Sequence, residues 1–147
     1  MIPEDKREEH KTMTIRKATQ ADYIHIVRAI QNKKLDYFTP AHVAADIAAN
    51  RCYVVEENGK AIASCSLVYD ATYQYHAMKR LAIFRKENRG RHLAELIFSY
   101  MIENSGATKI GCTPWIDNAP MRHIMDKMGF TLEYIFEKKW CFYSKTA

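Results

Sequence analysis

The residues of this chain best suited to chemistry are Arg89-Gly90-Arg91-His92-Leu93-Ala94, with Arg85 and Lys86 just upstream. Leu81-Ala82-Ile83 reads as the end of a strand, and Leu93, Leu96, Ile97, Tyr100 and Met101 recur at the spacing of one helical face. A strand is therefore expected to pass through a short basic turn into a helix. A helix N-terminus presents unpaired N–H groups and about half a positive charge, and Gly90 supplies the backbone freedom that lets an anion approach them. The chemistry this predicts is the gripping of a phosphate or diphosphate. The net charge of +5 agrees with an anionic partner, but charge does not by itself choose among nucleic acid, a membrane surface and a phosphate-bearing small molecule.

The elements that must hold this turn can be read on either side of it. Residues 13–17 alternate as a strand, and Thr19 with Asp22 forms a capping-box-like start to a helix whose face is Tyr23, Ile26, Val27 and Ile30. After the aromatic link Leu35-Asp36-Tyr37-Phe38, Thr39 and Pro40 begin a second helix with Val43 and Ile47 on its buried side. Residues 52–57 and 61–69 form a hairpin around Asn58-Gly59, and a third extended run covers 73–84. Beyond the helix ending at Ser105-Gly106 come a strand at 109–113 and a helix over 118–128 closed by Gly129. Two strands follow between 130 and 144, turning near Glu137-Lys138-Lys139. The order predicts an α/β class protein, a mixed and mostly antiparallel sheet of about seven strands flanked by about four helices, too irregular for a doubly wound dinucleotide fold.

Composition bounds the rest. A chain of 147 residues with 48% hydrophobic content can bury one core without disulfides or metal. Residues 1–12, mostly charged or polar, are expected to be a disordered N-terminal tail, leaving 13–147 as a single domain. Neither a signal-peptide pattern nor an apolar run of the roughly 20 residues that span a membrane is present. Cys52, Cys65, Cys112 and Cys141 are widely spaced and read as reduced thiols, which predicts a cytoplasmic protein. The six histidines form no metal-ligand array, so no metal is expected. The basic residues carry no helix-turn-helix, RNP or zinc pattern, which disfavours nucleic acid as a partner.

A second segment makes the phosphate reading more specific. Asn118-Ala119-Pro120-Met121-Arg122-His123-Ile124-Met125-Asp126-Lys127-Met128-Gly129-Phe130, together with residues 81–94, resembles the two cofactor motifs of the GNAT superfamily of N-acetyltransferases. In the first, Arg/Gln-x-x-Gly-x-Gly/Ala, Arg89 and Ala94 match the ends and His92 replaces the usual middle glycine. In the second, Asn-x-x-Ala-x-x-Leu-Tyr-x-Lys-x-Gly-Phe, Asn118, Lys127, Gly129 and Phe130 are identical, Ile124 is conservative, and Met125 replaces the tyrosine. In element order the resemblance extends over nearly the whole chain from Met13.

The resemblance implies a GNAT-like fold, acetyl-CoA as cosubstrate, and direct attack by a primary amine on the thioester in a ternary complex. It implies that backbone N–H groups near Ala82 and Ile83 polarise the thioester carbonyl. The first-turn amides of Arg89, Gly90, Arg91, His92, Leu93 and Ala94 would bind the pyrophosphate and Asn118 the pantetheine side, with Leu81, Met121 and Met125 completing the cofactor contacts. Methionine cannot donate a proton, so the acid expected at 125 must be replaced by Tyr134, Tyr143, Cys112 or water. Otherwise catalysis has been lost and the chain is a silent CoA-binding or regulatory module. His76, on the strand before the turn, is the candidate base because histidine ordinarily changes charge near neutrality, and a water chain ending on Asp70 or Glu133 serves equally. The acceptor site is expected among Tyr37, Phe38, Tyr73, Tyr75 and Trp115, with Asp36 or Asp70 for a cationic amine. Trp140, Cys141, Phe142 and Tyr143 would form either the edge of a homodimer or core.

Overall fold

The computed structural model describes residues 2–4, 7, 10, 12–31 and 38–146. Its strands are β1 (Met13–Lys17), β2 (Cys52–Glu57), β3 (Lys60–Asp70), β4 (Tyr75–Ile83), β5 (Lys109–Cys112), β6 (Thr131–Phe136) and β7 (Trp140–Thr146). The flanking helices are α1 (Gln20–Ile30), α2 (Pro40–Ala48), α3 (Leu93–Asn104) and α4 (Ala119–Lys127). They surround one sheet of order β1-β2-β3-β4-β5-β7-β6, antiparallel throughout except for β4 beside β5. The α/β class and the mixed, mostly antiparallel sheet expected from the sequence are what the chain adopts. No helix among the described residues is long and apolar enough to cross a membrane.

Local chemistry accounts for most element boundaries. The Asp22 carboxylate accepts from Thr19 N–H at 2.7 Å and so opens α1, while Thr39 Oγ1 accepts from His42 N–H at 3.3 Å at the start of α2. Asn58 and Gly59, at φ of 52° and 78°, close the β2–β3 hairpin. Glu137 and Lys138, at 54° and 56°, close β6–β7 with no glycine at all. The run expected at 73–84 begins later, at Tyr75. The Asp70 carboxylate accepts from Tyr73 N–H at 3.0 Å and Gln74 turns to φ 53°, so Tyr73 belongs to the turn.

Two cores sandwich the sheet. On one face Ile26 and Ile30 of α1 and Val43 and Ile47 of α2 pack on Cys52, Val54 and Ala82. On the other, Leu93, Ile97, Phe98 and Met101 of α3 and Met125 and Met128 of α4 cover Val55, Cys65, Met78, Ile110 and Tyr143. Adjacent Val54 and Val55 thus face opposite cores, which explains the apolar run within β2. A smaller cluster of Tyr75, Ala77 and Phe142, with Phe136 against it, is built from strand residues alone.

β7 lies between β5 and β6, so Trp140, Cys141, Phe142 and Tyr143 are not at an edge: Cys141, Phe142 and Tyr143 are core, and β6 is the outer strand. Within the stretch expected to be a disordered tail, Glu4, Arg7 and His10 are helical, and His10 Nε2 lies 2.7 Å from the carbonyl oxygen of Arg91.

Gly111 sits where β4, β5 and β7 meet. A Cβ there would come within 2.7 Å of Tyr143 O and 3.0 Å of the Tyr75 ring. Gly111→Ala should therefore destabilise the fold by about 1–3 kcal/mol through overpacking, read as a lower urea midpoint at unchanged m-value.

Candidate functional site

The site is built around a parting of two parallel strands. β4 and β5 pair only through His76↔Ile110 and Ala77↔Gly111, after which β5 continues along β7 while β4 runs on to Ile83. From Met78 onward β4 has β3 on one side and, among the described residues, no strand on the other. Main-chain groups on that side are left for a ligand or water to satisfy, and the result is a wedge whose floor is the main chain of β4.

At the mouth of the wedge β4 carries a bulge. The register steps from Ser66↔Lys79 to Ser64↔Ala82, so Arg80 and Leu81 together oppose Cys65. Arg80 adopts φ 59°, a left-handed conformation unusual for arginine. Its guanidinium is forked onto Asp46 of α2, with Nε to Oδ2 at 2.6 Å and Nη2 to Oδ1 at 2.7 Å. Ser66 Oγ and Arg51 Nε, each at 2.7 Å, donate to the same carboxylate, which is 2% exposed. A carboxylate taken this far from water persists only when paired and fully hydrogen-bonded. Burial pushes the Asp46 carboxyl up, but the hydrogen bonds from Arg80, Ser66 and Arg51 outweigh it and hold the group below its usual value.

Beyond Ile83 the chain forms a 3₁₀ turn at Lys86–Asn88, passes Gly90 at φ 78° and enters α3 through His92 at φ 60°. Among the described residues no side chain caps α3, which leaves its first-turn N–H groups to other partners. Among the described residues nothing lies within 4 Å of the place a Gly90 Cβ would occupy. Arg85, Lys86 and Arg89 are exposed around the turn. Arg91 is committed instead to structure: its guanidinium forks onto Glu57 at 2.6 and 3.1 Å and donates to Asn88 Oδ1 at 2.7 Å. His92 Nδ1 lies 2.6 Å from Glu95 Oε2, so the residue in the glycine position is tied back onto its own helix. Open amides, a free glycine and exposed cations suit a diphosphate.

The other cofactor-motif residues divide by exposure. Leu81, Ala82 and Ile83 line the end of β4 next to the wedge. Leu93 and Ala94 are buried in the first turn of α3. Asn118 is exposed and caps α4, its Oδ1 accepting from Met121 N–H at 3.2 Å, while Met121 is half-buried against the core. Met125 is 0% exposed. It presents no atom to solvent at the position where the sequence motif calls for an acid.

The proton-handling candidates are not brought together. His76 lies two residues before the wedge, its ring 5.0 Å from that of Tyr69, on the face covered by α3 and α4. Tyr134 is 45% exposed on the opposite face, packed on Phe136 and Phe142 at 5.1 and 5.3 Å. Tyr143 is 1% exposed, and its Oη accepts from Arg122 Nε of α4 at 3.1 Å. Burial pushes the Cys112 thiol up to about 12, so it stays protonated. Glu133 is 3.4 Å from Lys109, and Asp70 is engaged in the turn before β4.

The aromatic acceptor candidates are likewise scattered. Phe38 belongs to the α1–α2 core, and Tyr75 is buried 5.0 Å from Phe142. Tyr73 is exposed, and Trp115 stacks on Trp140 at 4.0 Å. Asp36 and Tyr37 lie outside the described residues. Sequence reasoning passed over Asp46, Arg80, Glu57, Glu95 and Arg122. Asp46 did carry a signal, since it shares the helical face of Val43 and Ile47, where a carboxylate needs a buried partner.

The Asp46 carboxyl, and Asp22, where bonds from Arg16 and Thr19 likewise outweigh burial, sit below the usual carboxylate range. Their contribution to stability is therefore complete above about pH 4 and is lost as pH falls further. Asp46→Asn should lower stability by about 3–5 kcal/mol at pH 7 by leaving Arg80 unpaired. That deficit should shrink below about pH 4 in urea melts, whereas a pH-independent deficit would show that Asp46 is not charged in the folded protein.

No protein-family model and no curated protein matches the chain in sequence. Solved structures do match in shape. A GNAT-family acetyltransferase of Streptococcus agalactiae superposes with TM-score 0.75 at 22% identity, covering 92% of this chain and 95% of that one. The ribosomal-protein-S18-alanine N-acetyltransferase of Escherichia coli gives 0.73 at 12% identity, covering 91% and 93%. The Salmonella typhimurium protein yncA, solved with its cofactor acetyl-CoA, gives 0.67 at 18% identity, covering 92% and 94%. The parted strands, the basic turn and the helix behind it thus sit in a chain that has the fold of the GNAT-family acetyltransferases over nine-tenths of its length.

Proposed function

We propose that the protein is an acetyl-CoA-dependent N-acetyltransferase that moves the acetyl group to a primary amine by direct attack in a ternary complex. The observation that carries this reading is the continuity of the wedge between β4 and β5 with the uncapped, basic start of α3. An extended amide chain laid in the wedge would complete the unpaired edge of β4, and its diphosphate would then meet the amides of residues 89–94. Arg85, Lys86 and Arg89 raise the local concentration of a polyanionic ligand. In the transfer the amine nitrogen forms a bond to the acetyl carbon, the carbon–sulfur bond breaks, and the thiolate takes up a proton while the ammonium product loses one. Backbone N–H groups at the end of β4 stabilise the carbonyl oxygen as charge develops on it.

Tyr143 is the acid this geometry favours among the candidates. Its oxygen already accepts from Arg122, which leaves its own proton free to be donated, and it shares a core cluster with Met125. One observation favours a second reading, a CoA-binding module without turnover: Met125 is wholly buried where the motif calls for a proton donor.

A panel of amines that includes peptide N-termini, polyamines and lysine derivatives, assayed by thiol release, separates the two readings. Turnover with at least one amine is expected. Tight CoA binding with no turnover across the panel would favour the silent module, and no binding of CoA would defeat both. Gly90→Val should raise the KM for acetyl-CoA about tenfold or more, because a β-branched residue cannot easily hold φ 78°. With open space where the side chain would go, crowding in the free protein does not explain that loss.

A further inference from the structure

The geometry points to Asp46 and Arg80 as positioning residues that hold the bulge of β4 in the shape required to receive the thioester carbonyl. This inference rests on the acetyltransferase reading and adds to it a device in α2, an element that supplies no residue to the cofactor motifs. Left-handed backbone is normally provided by glycine, and an arginine there is disfavoured. In this chain the conformation is imposed from outside the strand. Both oxygens of Asp46 engage the guanidinium, at 2.6 and 2.7 Å, in the planar fork that only arginine makes. Ser66 fixes the same carboxylate at 2.7 Å from β3, directly opposite Lys79, where the register step begins. One carboxylate therefore ties α2, β3 and β4 together at the bulge.

The consequence falls on the next two residues. Because Arg80 and Leu81 together span the place of one β3 residue, the main chain at Leu81 and Ala82 is turned out of regular register. This happens on the stretch of β4 that has lost β5 as a neighbour. The clamp lies on the α1–α2 face, so it shapes the wedge without occupying it. Asp46 and Arg80 touch neither substrate in this proposal, and they act through the amides that follow them.

The test compares two double variants, Asp46→Asn with Arg80→Gly and Asp46→Asn with Arg80→Ala. Both lose the ion pair, and they differ in whether residue 80 can take positive φ freely. The alanine form should lose about a hundredfold in kcat, the scale of one missing oxyanion donor, with KM for acetyl-CoA nearly unchanged. The glycine form should recover most of that loss. Equal kcat in the two forms, or a loss confined to KM, would overturn the proposal while leaving the acetyltransferase reading intact.

A second measurement does not depend on turnover or on the stability of the double variants. In the wild type, the backbone amide resonances of Leu81 and Ala82 should shift more with a thioether analogue that retains the acetyl carbonyl than with CoA. Arg80→Lys, which keeps the charge but not the fork, should reduce that difference. Unmoved amides in the wild type, or an undiminished difference in Arg80→Lys, would reject the clamp even if the protein transfers nothing.

Discussion

Strand β4 is required to do two incompatible things, and the Asp46–Arg80 pair reconciles them. It must stay hydrogen-bonded to β3 along its length to hold the sheet together, yet leave β5 to open a site. A regular strand paired on one side tends to pair on the other as well. β4 leaves β5 after Ala77, and the bulge at Arg80 then turns the strand at the step between Ser66↔Lys79 and Ser64↔Ala82. On the other side β5 is short, and its Gly111 accepts the Tyr75 ring close against it. The parallel contact is thus tight for two residue pairs and absent afterwards. Without the buried fork on Asp46, nothing in the local sequence would keep an arginine at φ 59°.

The charges of the basic turn separate into two sets with different work. Arg91, forked onto Glu57, joins the turn to the end of β2, and His92 with Glu95 fixes the entry to α3. These are internal contacts, and they make the turn stiff. Glu95, within the first turn, also complements the helix dipole. Arg85, Lys86 and Arg89 remain in solvent, where long-range attraction is useful and desolvation costs little. The turn therefore combines a backbone braced by internal contacts with an exposed cationic rim, and under the proposed function the bracing lowers the ordering cost of gripping a diphosphate.

What could be read from sequence was what local chemistry determines. Thr19 with Asp22, Thr39 with Pro40, Asn58-Gly59 and Gly129 are punctuation whose effect is contained within a few residues, and the elements they bound formed as expected. Strand order is not local. Nothing in Trp140-Cys141-Phe142-Tyr143 distinguishes an inner strand from an outer one, because the two edges of β7 are set by its distant partners β5 and β6. The left-handed residues were hidden for the same reason. Gln74, Arg80 and His92 give no compositional warning, and each is held by its surroundings or by a turn rather than by its own preference. Of the site, the basic turn was legible and the wedge was not, since the wedge consists of backbone that fails to pair.

The buried methionine at 125 bears directly on the proposed transfer. If an acid stood at that position it would be carried by α4, and its placement would follow from the packing of that helix. With Met125 in the core, α4 contributes a cation instead: Arg122, one turn earlier, donates Nε to Tyr143 and Nη1 to the carbonyl of Ile116. The helix and β7 are thereby joined through a phenol that lies in the same cluster as the methionine. Under the proposed transfer this hydroxyl, carried by β7 and held from α4, is the candidate for the group the motif lacks. Tyr134 cannot play the same part together with His76, because the two side chains lie on opposite faces of the sheet. In the proposed transfer a proton route through Tyr143 would therefore draw on a side chain of the core that α3 and α4 cover.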